Sequence, residues 1–203
     1  IRQVHNHLLS ERGRQHFYED GIEIMHQHYG YSQFSLLLRS HIPVGARVLD
    51  IGCNKGLETK IIAERNQVVG IDLFRDFVNA ARKRGVDARV MDFHHITFSN
   101  EFDCGYCNNS LEHAKYPDRL IMGVHRALRP GGLFIIGLPL DGNNPSVRDP
   151  SHHFRAKKED VLTLLKSNFN IVKLEEIDTK QRWDWEIPPA NNKMLLVVAQ
   201  AVK

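Results

Sequence analysis

From Ala46 onward the sequence alternates short apolar runs of strand length with amphipathic stretches of helix length. No other feature restricts the possible folds as much. "ARVLDIG" reads as a buried strand and "LETKIIAERN" as a helix; "QVVGID" is a strand, and "FRDFVNAARKRG" a helix closed by Gly85. "DARVM" and "FDCGYC" are the next strands. "PDRLIMGVHRALRPGG" is a helix with Pro117 near its start and Pro130-Gly131-Gly132 after its end, leading into the strand "LFIIGLPL". A helix, "KKEDVLTLLKSNF", and two strands, "NIVKLEEID" and "KMLLVVAQAV", complete the series. Strands alternating with helices predict a parallel sheet covered on both faces. The last two strands, 171–178 and 193–202, are joined by a stretch with no helical pattern, so they are expected to pair antiparallel. The expected fold is α/β: a doubly wound, Rossmann-like sheet of seven strands, mostly parallel, with an antiparallel C-terminal strand.

A chain of 203 residues suits one domain. Residues 1–41 are expected to form a polar, His-rich helical cap, with Ser32 as N-cap before Phe34, Leu36, Leu37 and Leu38; residues 46–203 form the core. No apolar run approaches the ~20 residues that span a bilayer, and no signal peptide is visible. The first residue is Ile1 rather than methionine, so a processed chain or a piece of a longer one is expected. The net charge of +3 is weak and the basic residues are scattered, apart from Arg12/Arg14 and Arg155/Lys157/Lys158. This favours a solvated surface over a nucleic-acid stripe. Three cysteines without a disulfide framework point to a reducing, cytoplasmic compartment. Cys104 and Cys107 form a CxxC, but in a strand positions i and i+3 face opposite ways, so no redox or zinc role is expected.

The segment that carries chemistry is "VLDIGCNKGLE". In a doubly wound sheet, ligands sit at the carboxyl ends of the strands beside the first one. The dinucleotide spacing G-x-G-x-x-G fails here: counting from Gly52 puts Asn54 and Leu57 at the other two positions. What stands instead is D-x-G-x-N-x-G, from Asp50 to Gly56. That turn suits a ligand packed edge-on to it without phosphates.

With "VLDIGCNKG", "VVGIDL", "VMDFH", "FDCGYCNNSLEH" and "LRPGGLFII" in this order, the chain resembles the class I S-adenosylmethionine-dependent methyltransferases, in particular the small-molecule, ubiquinone-biosynthesis-like branch. The resemblance runs from about Val48 to the C-terminus. It implies S-adenosyl-L-methionine as cofactor, S-adenosyl-L-homocysteine as product, and a set of cofactor-binding residues. Asp50 accepts from the ammonium, directly or through water; Gly52 and Cys53 bring backbone close; Asn54 and Gly56 shape the turn. Asp72 accepts from the ribose hydroxyls, and Leu73 offers an apolar face to adenine. Asp92 takes the adenine amino group with Phe93 beside the ring, and Asn108 reaches the methionine end. The family has glycine where this chain has Asn54, a residue that tolerates positive φ; its amide, or Lys55, is also able to donate to the ligand carboxylate. Plainer roles stay open: Asp50 tying down the loop, Asp72 capping the next helix, Asp92 completing a turn, Asn54 merely closing its own.

On the acceptor side, the resemblance points to His113 as general base, with packing beneath the next loop as the alternative. Some relatives hold a divalent metal through Glu-x-x-Glu-His. Here Asn109 replaces the first carboxylate, which lowers hard-cation affinity, so no metal is expected. The loop 139–151 and the amino-terminal helices are expected to form the acceptor pocket wall, with Tyr29 and Tyr31 as candidate lid residues; His152 and His153 read as loop packing with a functional role as the alternative, and Trp183 and Trp185 as packing rather than substrate stacking. The expected acceptor is a hydroxyl or amine of a small molecule, with no membrane and no nucleic acid as partner. An RNA or protein methyltransferase, or a non-catalytic methyltransferase-like module, is the alternative; "NNSL" lacks the Asn/Asp-Pro-Pro-aromatic run of nucleic-acid amino-methylating enzymes.

Overall fold

A computed structural model describes residues 33–140, 151–178 and 193–203. In chain order these form α1 (Gln33–Arg39), β1 (Arg47–Ile51), α2 (Leu57–Ala63), β2 (Gln67–Asp72), α3 (Arg75–Lys83), β3 (Ala88–Val90), β4 (Phe102–Asn108), α4 (Pro117–Ala127), β5 (Leu128–Pro139), α5 (Lys158–Leu165), β6 (Phe169–Asp178) and β7 (Lys193–Ala201). Short 3-10 turns lie at Phe93–His95 and Leu111–His113. Ser32, Tyr29, Tyr31, most of the loop 139–151, Trp183 and Trp185 lie outside the described residues, as does most of the expected N-terminal cap. Among the described residues, no helix is long and apolar enough to cross a membrane.

The seven strands form one sheet in the order β3-β2-β1-β4-β5-β7-β6. The first five are parallel, and β7 runs antiparallel to both neighbours. The expected architecture is borne out, including the antiparallel pair at the end. Strand order reverses between β1 and β4, so the chain leaves the sheet in opposite directions there and opens a cleft at the strand ends.

Two apolar layers cover the sheet, and side-chain alternation distributes each strand between them. Leu49 and Ile51 point into the layer built by α4 and α5, with Leu120, Val124, Val161 and Leu165. Val48 points into the other, with Phe34 and Leu38 of α1 and Ile62 of α2. Cys104 and Cys107 fall one in each layer, both fully buried, and burial pushes both thiols up. They face away from each other, as the strand reading of "FDCGYC" requires.

Helix α1 docks where β5 has no side chain: a Cβ on Gly137 would overlap Leu38 and come within 2.8 Å of Phe34. Leu38 is fully buried, and truncating such a residue to alanine costs about 2–5 kcal/mol. This seat fixes the helix that carries Arg39 against the strand ends.

One boundary differs from the sequence reading. Pro130-Gly131-Gly132 reads as a break between helix and strand, yet β5 already starts at Leu128, paired with Phe102. Residues 129–132 loop out with Gly131 at φ +75°, and pairing resumes at Cys104 and Leu133. The turn residues make a bulge inside the strand rather than a separator before it.

Candidate functional site

The loop from β1 to α2 makes a tight turn with three left-handed residues: Gly52 at φ +77°, Asn54 at +49° and Gly56 at +79°. Each has a local cause. A Cβ on Gly52 would overlap the Ser110 side chain, so the loop after β4 approaches only because that position is bare. A Cβ on Gly56 would sit 2.7 Å from that of Ala81, so glycine here lets α3 close on the loop. Asn54 adopts the positive φ expected of it, and its side-chain Oδ1 accepts the Lys55 N–H at 2.7 Å. The amide oxygen therefore closes its own turn, and the Nδ2 donor that a ligand carboxylate would use takes no part in that bond.

Asp72, at the end of β2, reaches across to this turn. Its Oδ2 accepts the Asn54 N–H at 2.9 Å, and its Oδ1 accepts the Phe74 N–H at 2.9 Å. Burial raises its pKa, and the N–H groups of Phe74, Asn54 and Leu73 offset part of that rise. Each carboxylate oxygen still has a second lone-pair direction for a ligand hydroxyl. Leu73 and Phe74 follow at 58% and 42% exposure, an apolar shelf beside the acid.

Asp50 lies beneath the loop, buried, with Oδ2 accepting from the Thr59 hydroxyl at 2.6 Å. Burial pushes its pKa up to about 7; the Thr59 bond opposes this, and the charges of Glu58 and Asp72 add to it. Cys53 is buried against Gly70, and its thiol is pushed up by burial.

Asp92 and Phe93 begin the 3-10 turn after β3. The Asp92 carboxylate turns back into that turn: Oδ1 takes the His94 N–H and Nδ1, both at 2.8 Å, and Oδ2 takes His95 Nδ1 at 3.2 Å. Partial burial works against ionisation, but the His94 N–H and the two imidazoles outweigh it and hold Asp92 below the ordinary carboxylate range. His94 Nε2 accepts the Tyr116 N–H at 3.3 Å, linking this turn to the start of α4. The Phe93 ring packs edge-on to His94, with centroids 4.7 Å apart.

Asn108, at the end of β4, lies on the α1/α2 face with Tyr106, two residues before it. Its Nδ2 donates to Glu58 Oε2 at 2.9 Å and to Ser35 Oγ at 3.2 Å. Glu58 also takes the Tyr106 hydroxyl at 3.0 Å and Arg39 Nη1 at 2.7 Å. The sequence reading missed this cluster. Glu58 has no assigned role there beyond its place in the helix "LETKIIAERN"; α1 and β4 largely bury it, and neither is near it in sequence.

His113 ends the second 3-10 turn. Its Nδ1 donates to the Ser151 carbonyl at 3.2 Å, which makes Nε2 the accepting nitrogen. The His152 ring stands edge-on to it, centroids 5.0 Å apart, and the Phe154 N–H donates to the Glu112 carbonyl at 2.9 Å. One potential ligand atom each from Glu112, His113 and His152 lies within 4.8 Å of the others, so among the described residues these three are close enough to share a cation. The sequence separates His152 from "LEH" by a loop, and only the fold brings it in. Asn109 instead turns its amide to Asn108 Oδ1 at 3.3 Å.

The seven-stranded sheet with this turn at its point of strand-order reversal defines an α/β, Rossmann-like domain. Residues 49–136 match the family described as "Methyltransferase domain". A ubiquinone biosynthesis O-methyltransferase of Xanthomonas oryzae is 38% identical over 97 residues, covering 43% of this chain and 41% of that one. Among solved structures, a chain in the complex of the Haloferax volcanii Trm112 methyltransferase activator with a methyltransferase superposes with a TM-score of 0.74 at 18% identity, covering 92% of this chain and 96% of its own. The Burkholderia thailandensis 1,6-didemethyltoxoflavin-N1-methyltransferase, with its namesake ligand and S-adenosylhomocysteine bound, gives 0.68 at 20% identity, covering 92% and 84%. The chain spans less than half the length of the curated relatives it matches. The match over residues 49–136 is to a methyltransferase-domain family, the kind of family that the motifs implied.

Proposed function

We propose that the chain is a methyltransferase that moves the methyl group of S-adenosyl-L-methionine to a hydroxyl or amine of a small molecule. The observation that carries this reading is the link from Asn54 to Asp72, which joins the turn after β1 to the acid after β2 at the point where strand order reverses. The residues there suit the cofactor. Asp72 and the Leu73–Phe74 shelf would take the ribose and adenine, and the backbone of Gly52 and Cys53 would line the methionine side. Asp50 and Asn108 would serve the amino-acid end. Asp92 and Phe93 would border the adenine, through a turn that Asp92 itself holds rigid.

When bound, the cofactor supplies an activated methyl group on a sulfonium. The chain's own contribution is largely orientation, worth about 7–11 kcal/mol when the reacting atoms are held in line. A hydroxyl acceptor must also lose its proton. His113, with Nδ1 committed to Ser151, would receive that proton on Nε2. A small-molecule acceptor is supported by the names of the relatives above. Calorimetry tests the cofactor reading: micromolar binding of S-adenosylhomocysteine with no response to NAD(H) is expected, and the reverse would sink it.

A further inference from the structure

Glu58 ends the segment "VLDIGCNKGLE" without a role assigned to it there, yet it ties together three elements around the site. It stands in the first turn of α2, directly after the β1–α2 loop. Its Oε1 holds Arg39 of α1, and its Oε2 holds Tyr106 and Asn108 of β4. The side chains of Arg39 and Glu58 are only 8% and 14% exposed. A buried ion pair is a poor stability device, because desolvation offsets most of its Coulomb gain. This one is also incomplete: Arg39 Nη2 is buried and makes no hydrogen bond among the described residues. An open donor on a buried guanidinium is costly for folding and is best accounted for by a partner that arrives later.

The placement suggests what that partner is. Asp50 is the penultimate residue of β1 and Asn108 the last of β4, the two strands flanking the reversal, and Glu58 stands beside both: it bonds Asn108, and its charge is felt at Asp50. Asp72 and the apolar shelf lie one strand over, at the end of β2. If the nucleoside sits over β2, the rest of the ligand points toward the Arg39–Glu58 pair. We propose that this pair reads the amino-acid end of the cofactor, Glu58 answering its ammonium and Arg39 its carboxylate. A zwitterion meets an ion pair, so neither ligand charge is buried against a neutral wall. Glu58 also orients the Asn108 amide, because Nδ2 is fixed as donor and Oδ1 is left as the acceptor edge. The inference rests on the methyltransferase reading.

The test compares two probes with the full chain by calorimetry: S-adenosylhomocysteine, and 5′-methylthioadenosine, which has the same nucleoside and sulfur but no amino-acid end. Glu58→Gln and Arg39→Lys are the variants, the first removing the acid's charge and the second removing the open Nη2 while keeping a cation. Each should weaken S-adenosylhomocysteine by about tenfold or more and leave 5′-methylthioadenosine within about twofold. A merely structural role would weaken both probes alike; that result, or no loss for either, overturns the proposal and leaves the cofactor reading standing. Wild-type chain that binds neither probe overturns the cofactor reading and the proposal with it. Should Glu58→Gln fail to fold, Arg39→Lys carries the same comparison.

Discussion

Asp72 accepts the backbone N–H of Asn54 at 2.9 Å, so the acid that ends β2 holds the turn that leaves β1. The same carboxylate accepts the Phe74 N–H at the start of α3. The side chain is thus a structural clamp on both turns, and the second lone pair on each oxygen keeps the ribose role proposed for it compatible with that clamp.

Asp72→Ala should weaken S-adenosylhomocysteine by about 1–3 kcal/mol through loss of a charged acceptor. It should also lower stability, because two N–H groups lose their acceptor. Asp72→Asn keeps one carbonyl oxygen and should fall between wild type and alanine in both respects. Calorimetry and urea unfolding read the two effects separately. An unchanged dissociation constant with reduced stability would leave Asp72 as a clamp only.

Asn54 tests the turn. Asn54→Gly relieves the positive φ but gives up the bond to the Lys55 N–H, two effects of about 1 kcal/mol in opposite directions. Stability should hardly move, and cofactor binding should stay within about tenfold. Asn54→Ala keeps the strain and loses the bond, so it should cost about 1–2 kcal/mol in urea unfolding. A much larger loss of binding in Asn54→Gly would mean that the side chain touches the ligand.

The elements were legible in the sequence because local pattern decides them: alternation set the layers, Gly85 closed α3 at φ +85°, and the absence of a helical sequence pattern before β7 implied the antiparallel pair. Asp50, Gly52 and Asp72 were legible for the same reason, since motif spacing places them on neighbouring strand ends. What was not legible depends on packing between distant segments. Glu58 is buried by α1 and β4, His152 joins His113 across a loop, and β5 starts at Leu128 because Phe102 is there to pair with it. Asp92 is an intermediate case. Its motif position was readable, but its inward turn depends on two histidines that were not weighed as partners.

Asp50 gives the fold a pH dependence. Burial raises its pKa in the folded chain to about 7, from 3.8 for the free side chain. Between these values the folded state binds more protons than the unfolded state, so stability falls as pH rises through this window and is flat above it. Asp50→Asn removes the ionisation but keeps an acceptor for Thr59. The variant should gain on wild type from pH 5 to pH 8 in urea unfolding. A constant difference would place Asp50 ionised throughout. Wild-type affinity for S-adenosylhomocysteine should rise over the same window, because a charged Asp50 is the better acceptor for the ligand ammonium.

His113 is the last case, and its tautomer makes it specific. Donation from Nδ1 to the Ser151 carbonyl leaves the proton-accepting role to Nε2. If the acceptor is a hydroxyl, His113→Ala should lower turnover by about 10²-fold or more and leave cofactor affinity nearly unchanged. The wild-type rate should rise with pH as the imidazole gives up its proton, then level off. His113→Asn, a side chain that donates but cannot take up a proton, should not rescue the rate. An amine acceptor bound in its neutral form needs no base, and turnover should then survive the substitution. Because Glu112, His113 and His152 also stand close enough to share a cation, the assay should be run with and without a chelator. A base role predicts no chelator effect. Loss of rate on chelation, restored by a divalent ion, would make His113 a metal ligand instead. An acceptor must be found first, through a screen for methyl-donor consumption over hydroxylated and amino small molecules. Near-normal turnover of His113→Ala on a hydroxyl acceptor, with no chelator effect, would leave His113 as packing for the segment 151–154 and pass the base role to His152 or His153.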